Sequence, residues 1–122
     1  MKRKPLAMRV TTSGTSKYRN TKCTVDGESY RSKREAQRHR TLMVMQRSGV
    51  IADLQREVPF VLAPSVRFAA KRATPALRYF ADFVYTQDGQ RVVEDCKGLR
   101  TEGYRIKRHL MLALHGIEIL ET

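Results

Sequence analysis

Two short runs of this chain carry residue types suited to hydrolytic chemistry: Asp82, and the triplet Asp95-Cys96-Lys97. Asp82 sits near the middle of the apolar run Tyr79-Phe80-Ala81-Asp82-Phe83-Val84-Tyr85. Burying an unpaired charge is expensive, so a carboxylate in such a run calls for a partner or a metal. With a strand period of two, Val93, Asp95 and Lys97 share one face, and Glu94 and Cys96 the other. Glu94 then points away and pairs with a basic residue of a helix. Between the two runs, Gln87-Asp88-Gly89-Gln90 reads as a tight hairpin turn, because Asp-Gly tolerates positive φ. Such a hairpin sets Asp82 beside Asp95. Two carboxylates that close repel each other unless a cation lies between them. All-oxygen ligation suits Mg²⁺, with Mn²⁺ as a substitute. Lys97, one residue pair further along, is placed to stabilise a phosphate oxyanion or to orient water. The set fits hydrolysis of a phosphodiester.

The elements that must position these residues are legible around them. Leu77 to Tyr85 is a strand, with Tyr79, Ala81, Phe83 and Tyr85 expected on one face and Arg78, Phe80, Asp82 and Val84 on the other. Arg91 to Lys97 is its partner. Val25-Asp26-Gly27-Glu28-Ser29-Tyr30 looks like an earlier short hairpin. Ser32 and Glu35 form a capping-box pattern for a first helix that runs toward Gly49. Ile51 to Leu62 is β-like, and Pro59 suggests an edge or a break. A loop or short strand covers 63–75. Thr101 caps a second helix whose apolar positions are Tyr104, Ile106, Leu110, Met111, Ala113 and Leu114, and Gly116 stops it. The Met43/Met45 and Leu110/Met111/Leu114 stripes read as core. Ile117 to Leu120 is a last short strand.

The chain has 122 residues, which suggests one domain, 21–122, behind a flexible basic arm, 1–20. Lys plus Arg number 24 against 12 Asp plus Glu, a net charge of +12. Residues 1–40 hold 12 basic residues against Asp26, Glu28 and Glu35. The stretch from Pro59 to Ala81 is free of acids and carries Arg67, Lys71, Arg72 and Arg78. Such an excess favours a polyanionic partner, nucleic acid ahead of a membrane surface. Neither helix shows an extended apolar face lined with basic residues, and no apolar run is long enough to cross a bilayer. The basic start Met1-Lys2-Arg3-Lys4-Pro5 is not followed by an apolar region, which argues against a secretory signal. Cys23 and Cys96 make no CxxC pair and no zinc spacing, so a reduced, cytosolic protein is the simpler reading.

With these residues in view, the chain resembles a known family. Asp82 followed by Asp95-Cys96-Lys97 is similar to the D…(D/E)-x-K signature of the PD-(D/E)XK, restriction-endonuclease-like nucleases. Tyr79-Phe80-Ala81-Asp82-Phe83 and Val92-Val93-Glu94-Asp95-Cys96-Lys97-Gly98 resemble segments of the small phage-encoded, Holliday-junction-resolvase-like branch. The helix bearing Ser32-Lys33-Arg34-Glu35-Ala36 resembles the leading helix of that superfamily. The likeness covers about residues 17–122. Ala81 stands where the family signature has its proline.

The resemblance implies an α/β (α+β) fold of core order α-β-β-β-α-β, with a central mixed sheet flanked by helices. It implies a Mg²⁺-dependent endodeoxyribonuclease, encoded by a phage or prophage and acting in the host cytoplasm. Branched or junction DNA is a possible substrate, and junction cutting would require a homodimer. The implied catalytic residues are Glu35, Asp82, Asp95 and Lys97. The implied metal ligands are Asp82, Asp95, Glu35 and the backbone carbonyl of Cys96. Lys17, Arg19, Lys33, Arg34, Arg78, Arg100, Arg105, Lys107 and Arg108 are the expected DNA contacts.

Each residue also has a plainer reading. Asp82 could be an edge-strand carboxylate paired with Arg78, and Lys97 a solvated strand end. The capping box accounts for Glu35 without catalysis. His39, one turn later, is more readily packing than ligand, and His109 and His115 more so. The rival reading of the whole chain is a non-catalytic basic nucleic-acid-binding protein, which would lose no cleavage when Asp82 or Lys97 is replaced.

Overall fold

The computed structural model describes residues 22–96 and 98–122. The expected arm, 1–20, and Lys97 lie outside the described residues. The chain divides into two compact units between Ala36 and Gln37.

In the first unit, strands β1 (Cys23–Val25) and β2 (Glu28–Tyr30) form an antiparallel hairpin with Val25 opposite Glu28. Asp26 and Gly27 turn it with φ of 52° and 78°, the pair of positive angles that the primed turn requires. Helix α1 (Lys33–Arg47) begins here. Ser32 Oγ accepts the Glu35 N–H at 3.1 Å, and Glu35 Oε1 accepts the Arg31 N–H at 2.8 Å. The expected box is therefore present, with its return bond one residue further back than usual.

In the second unit, the remainder of α1 ends at Arg47, and Gly49, with φ of 85°, is the left-handed stop beyond it. Strands β3 (Ala52–Ala63), β6 (Leu77–Gln87), β7 (Gln90–Asp95) and β8 (Leu120–Glu121) make one sheet in that spatial order. The β3–β6 and β6–β7 pairs are antiparallel, and β7–β8 is parallel. Strands β4 (Val66–Arg67) and β5 (Ala73–Thr74) form a separate ribbon between β3 and β6. Helix α2 (Glu102–His115) precedes β8. Thr101 Oγ1 accepts the Tyr104 N–H at 3.1 Å, and Gly116 closes α2 with φ of 68°. The architecture is mixed α+β: a central mixed sheet with two helices.

Two apolar clusters fix where the helices lie. Tyr104 and Met111 of α2 pack with Phe60, Leu62, Tyr79, Ala81, Val84 and Val93. Leu42 and Met45 of α1 pack with Ile51, Phe83, Tyr85 and Val92. Val92 and Val93 are neighbours on one strand, so the two helices cover opposite faces of the sheet. This explains why Ala81 through Tyr85 are all buried, where a one-sided sheet would alternate.

Three expectations need correction. Tyr79 and Ala81 do not share a face with Phe83 and Tyr85; the first pair faces α2 and the second faces α1. The change falls at Asp82. In the neighbouring strand, Glu57 lies between the pairs Arg56↔Phe83 and Val58↔Ala81 and has φ of 53°. A left-handed residue kinks its strand locally, while the paired register continues through this point. Second, Met43 and Leu114 are exposed rather than core; Met45, Leu110 and Met111 carry the packing. Third, Asp82 is not on an edge: β6 lies between β3 and β7.

Candidate active site

Val84 lies opposite Val93, and Phe83 opposite Glu94. One step further along the same register brings Asp82 to Asp95. The Asp82 charge acts on the Tyr79 phenol, and that phenol bonds Asp95, so both carboxylates border the same hydroxyl. Both carboxylates are almost fully buried, at 2% and 1% exposure. Asp82 Oδ2 accepts the backbone N–H of Cys96 at 2.8 Å, directly after Asp95. The hairpin predicted from Asp88-Gly89 is what sets this register; their φ values are 52° and 75°.

Sequence reasoning did not find Tyr79. Its hydroxyl donates to Asp95 Oδ2 at 2.6 Å. This bond exists because of the phase shift at Asp82. In an unbroken pleat Tyr79 would face α1 with Phe83 and Tyr85. Burial, and then the charge and hydrogen bond of Asp95, push the Tyr79 phenol well above the usual tyrosine range. It therefore remains a donor and orients Asp95 at one oxygen.

A second group borders the pair. The Tyr104 hydroxyl donates to Glu121 Oε2 at 2.7 Å. Arg100 donates to Glu121 Oε1 through Nε at 3.0 Å and Nη2 at 2.5 Å, and Arg108 Nε lies 3.6 Å from Oε2. Arg100 and then Tyr104 hold the Glu121 carboxyl below its ordinary range. Burial, and then Glu121 and the Asp95 charge, raise the Tyr104 phenol. The Thr122 N–H donates to the Asp95 carbonyl at 3.0 Å, which ties β8 to the end of β7. Glu121 gave no signal in sequence because it joins the site only through the parallel pairing of β7 and β8.

Glu94 points to the opposite face, as strand parity predicted. It is fully buried, and Arg38 of α1 forks it through Nε at 2.6 Å and Nη2 at 2.9 Å. The Tyr85 hydroxyl donates to it at 2.7 Å. The basic partner expected on a helix is therefore Arg38. His39 stacks on Phe83, with ring centroids 5.6 Å apart, and so is packing. His115 Nε2 lies 2.8 Å from the Val61 carbonyl. Glu35, buried, belongs to the first unit, where its carboxylate serves the cap described above.

Among the described residues, no three or more His, Cys, Asp or Glu side chains form a metal-holding group. Asp82 and Asp95 supply a pair of hard oxygen donors. That suits a cation such as Mg²⁺, which commonly takes one or two protein carboxylates and completes its shell with water and substrate phosphate. Cys23 and Cys96 form no disulfide, and Cys96 Sγ lies 3.3 Å from Thr122 Oγ1.

A family model described as a protein of unknown function, DUF1064, matches residues 15–116. The chain belongs to the DUF1064 family. Neither the curated proteins nor the solved structures contain a match. The DUF1064 match takes in Glu35, Asp82 and Asp95 and stops before Glu121.

Of the expected DNA contacts in this DUF1064 protein, Lys33, Arg34, Arg78, Arg105 and Lys107 are exposed. Arg100 and Arg108 are exposed but engaged with Glu121. Lys17 and Arg19 lie outside the described residues. No helix among the described residues is long and apolar enough to cross a membrane.

Proposed function

We propose that this protein is a divalent-metal-dependent DNA endonuclease of the PD-(D/E)XK type. The observation that carries the reading is the convergence of Asp82 and Asp95, two buried carboxylates on adjacent strands, joined by the 2.8 Å Cys96–Asp82 hydrogen bond. The order helix, long strand, two hairpin strands, helix, strand also supports it, once the small hairpins are set aside. The net charge of +12 suits a polyanionic substrate.

In this reading Asp82 and Asp95 hold the cation, and Tyr79 fixes the rotamer of Asp95. The bound metal would supply an acidified water and charge neutralisation at phosphate. Lys97 comes from the resemblance and offsets charge developing on the phosphate. Branched DNA remains the favoured special substrate, with a homodimer as its corollary.

The test incubates the protein with supercoiled, linear and four-way-junction DNA in Mg²⁺, Mn²⁺ or EDTA. Cutting with either metal and none in EDTA is expected. Asp82→Asn, Asp95→Asn and Lys97→Ala should each lower the rate by at least about a hundredfold while DNA binding persists. Glu35→Gln keeps the oxygen that accepts the Arg31 N–H and removes only the charge. Loss of cutting in that variant, with unchanged stability, would add Glu35 to the reacting groups. Absence of cutting on every substrate with both metals would sink the endonuclease. A non-catalytic nucleic-acid-binding protein would then be the better account.

A further inference from the structure

The ribbon of β4 and β5 has no core of its own. Every residue from Pro64 to Ala73 is exposed. Isolated two-stranded ribbons are marginal in water, and this one is held by its own hydrogen bonds. Val66 pairs with Thr74 and Arg67 with Ala73. Thr74 Oγ1 donates to the Val66 carbonyl at 3.2 Å. At the turn, Ala70 has φ of 58° and the Lys71 N–H donates to the Phe68 carbonyl at 3.2 Å. Arg67 Nη1 reaches across to the Lys71 carbonyl at 3.1 Å.

The chemistry of this ribbon is one-sided. No acid occurs from Pro59 to Ala81; Arg67, Lys71 and Arg72 give the ribbon three cations, and Arg78 follows on β6. Phe68, at the turn, is 60% exposed, the most exposed of the large apolar side chains among the described residues. Phe68 is the ribbon's one aromatic, with Val66 also exposed; so small an apolar area among cations, without acids, is a poor fit for an apolar protein partner. It is a good fit for nucleic acid, where cations track phosphates and a ring finds a base to stack on.

We infer that the β4–β5 ribbon is a DNA-binding arm: Arg67, Lys71 and Arg72 straddle the backbone, and Phe68 wedges into a base step that is already weakened. Unstacking a step costs free energy, and costs least at a mismatch, bulge or branch. One wedge per arm therefore turns shape into selectivity. The arm would carry distorted DNA to the Asp82–Asp95 pair, so it rests on the polyanion part of the functional reading, though not on catalysis.

The test measures binding by fluorescence anisotropy in EDTA, so that cutting plays no part. The probes are a short intact duplex and the same duplex with a central bulge flanked by 2-aminopurine. The wild type should prefer the bulged duplex and raise 2-aminopurine fluorescence. Phe68→Ala should abolish that rise and lower the preference by about tenfold. Replacing Arg67, Lys71 and Arg72 together with Gln should weaken binding to both probes by roughly tenfold or more. It should also flatten the slope of log affinity against log salt by about 2 to 3. Because the ribbon is exposed, both variants should melt with the wild type, which guards against a folding artefact.

Variants that bind and titrate as the wild type would overturn the arm, as would a wild type that binds neither probe. Loss of the arm effects with metal-dependent cutting intact would leave the endonuclease standing. Arm effects without cutting would leave the arm standing alone.

Discussion

Arg38 makes two short hydrogen bonds to Glu94, and Tyr85 adds a third. This is a structural ion pair, one residue away from the proposed metal ligand Asp95. Removing the guanidinium leaves a fully buried carboxylate without its counter-charge, which typically costs about 3–5 kcal/mol. Arg38 is partly exposed, so Arg38→Ala should fall near the lower end, about 3 kcal/mol, in urea unfolding. Asp95→Asn keeps the shape and an acceptor for Tyr79, and it relieves repulsion with Asp82. It should alter stability by no more than about 1 kcal/mol while abolishing cleavage. A large stability loss in Asp95→Asn, or a small one in Arg38→Ala, would reverse the assignment of the two neighbouring acids.

Tyr85 carries a pH signature of the same cluster. Burial, followed by the hydrogen bond and charge of Glu94, pushes its phenol up to about 12 from an ordinary value of 10.0. A raised folded value means that the neutral form is favoured in the native state. The contribution is then complete below pH 10 and declines as pH rises toward 12. The stability difference between wild type and Tyr85→Phe should therefore be larger at pH 8 than at pH 11. A difference that grows with pH would contradict the bond to Glu94.

At the scale of elements, the hairpin of β6 and β7 aligns the site, and its turn is the sensitive point. Gly89 has φ of 75° with open space around it, so a side chain there meets only backbone strain. Gly89→Val should cost about 1–2 kcal/mol by thermal unfolding. A slip of one residue would send Asp95 to the α1 face and Glu94 to its place. Val substitution should accordingly lower cleavage more than the lost stability accounts for.

The turn residues Asp88 and Gly89, the caps at Ser32 and Thr101 and the stops at Gly49 and Gly116 were all legible, because each depends on a few consecutive residues. The pairing of Glu94 with a helix was also legible, from strand parity alone. The phase shift at Asp82 was not, because it coincides with Glu57, a left-handed residue of another strand. Tyr79 and Glu121 were hidden for the same reason. Their partners lie 16 and 21 residues away at Asp95 and Arg100, across a fold that periodicity does not describe. The exposed Ile106 and Leu114 show the converse limit: helical spacing identifies a stripe without saying how far the sheet extends beneath it.

At the scale of the whole molecule, 24 Lys and Arg stand against 12 acids; Asp53 and Glu57 of the sheet are exposed, while its three central acids are buried. Glu94, Asp82 and Asp95 contribute little to the outer surface. A polyanion approaching the protein meets an excess of Lys and Arg, and these three carboxylates lie beneath. The ribbon has one further consequence, in proteolysis. Arg67, Lys71 and Arg72 are trypsin sites on exposed backbone that carries no core packing. Among the described residues, brief trypsin digestion should nick there first. The two pieces should stay together, because β3 and β6 remain paired below the cut. Mass spectrometry would then find both fragments in one native particle, and a bound duplex should slow the nick.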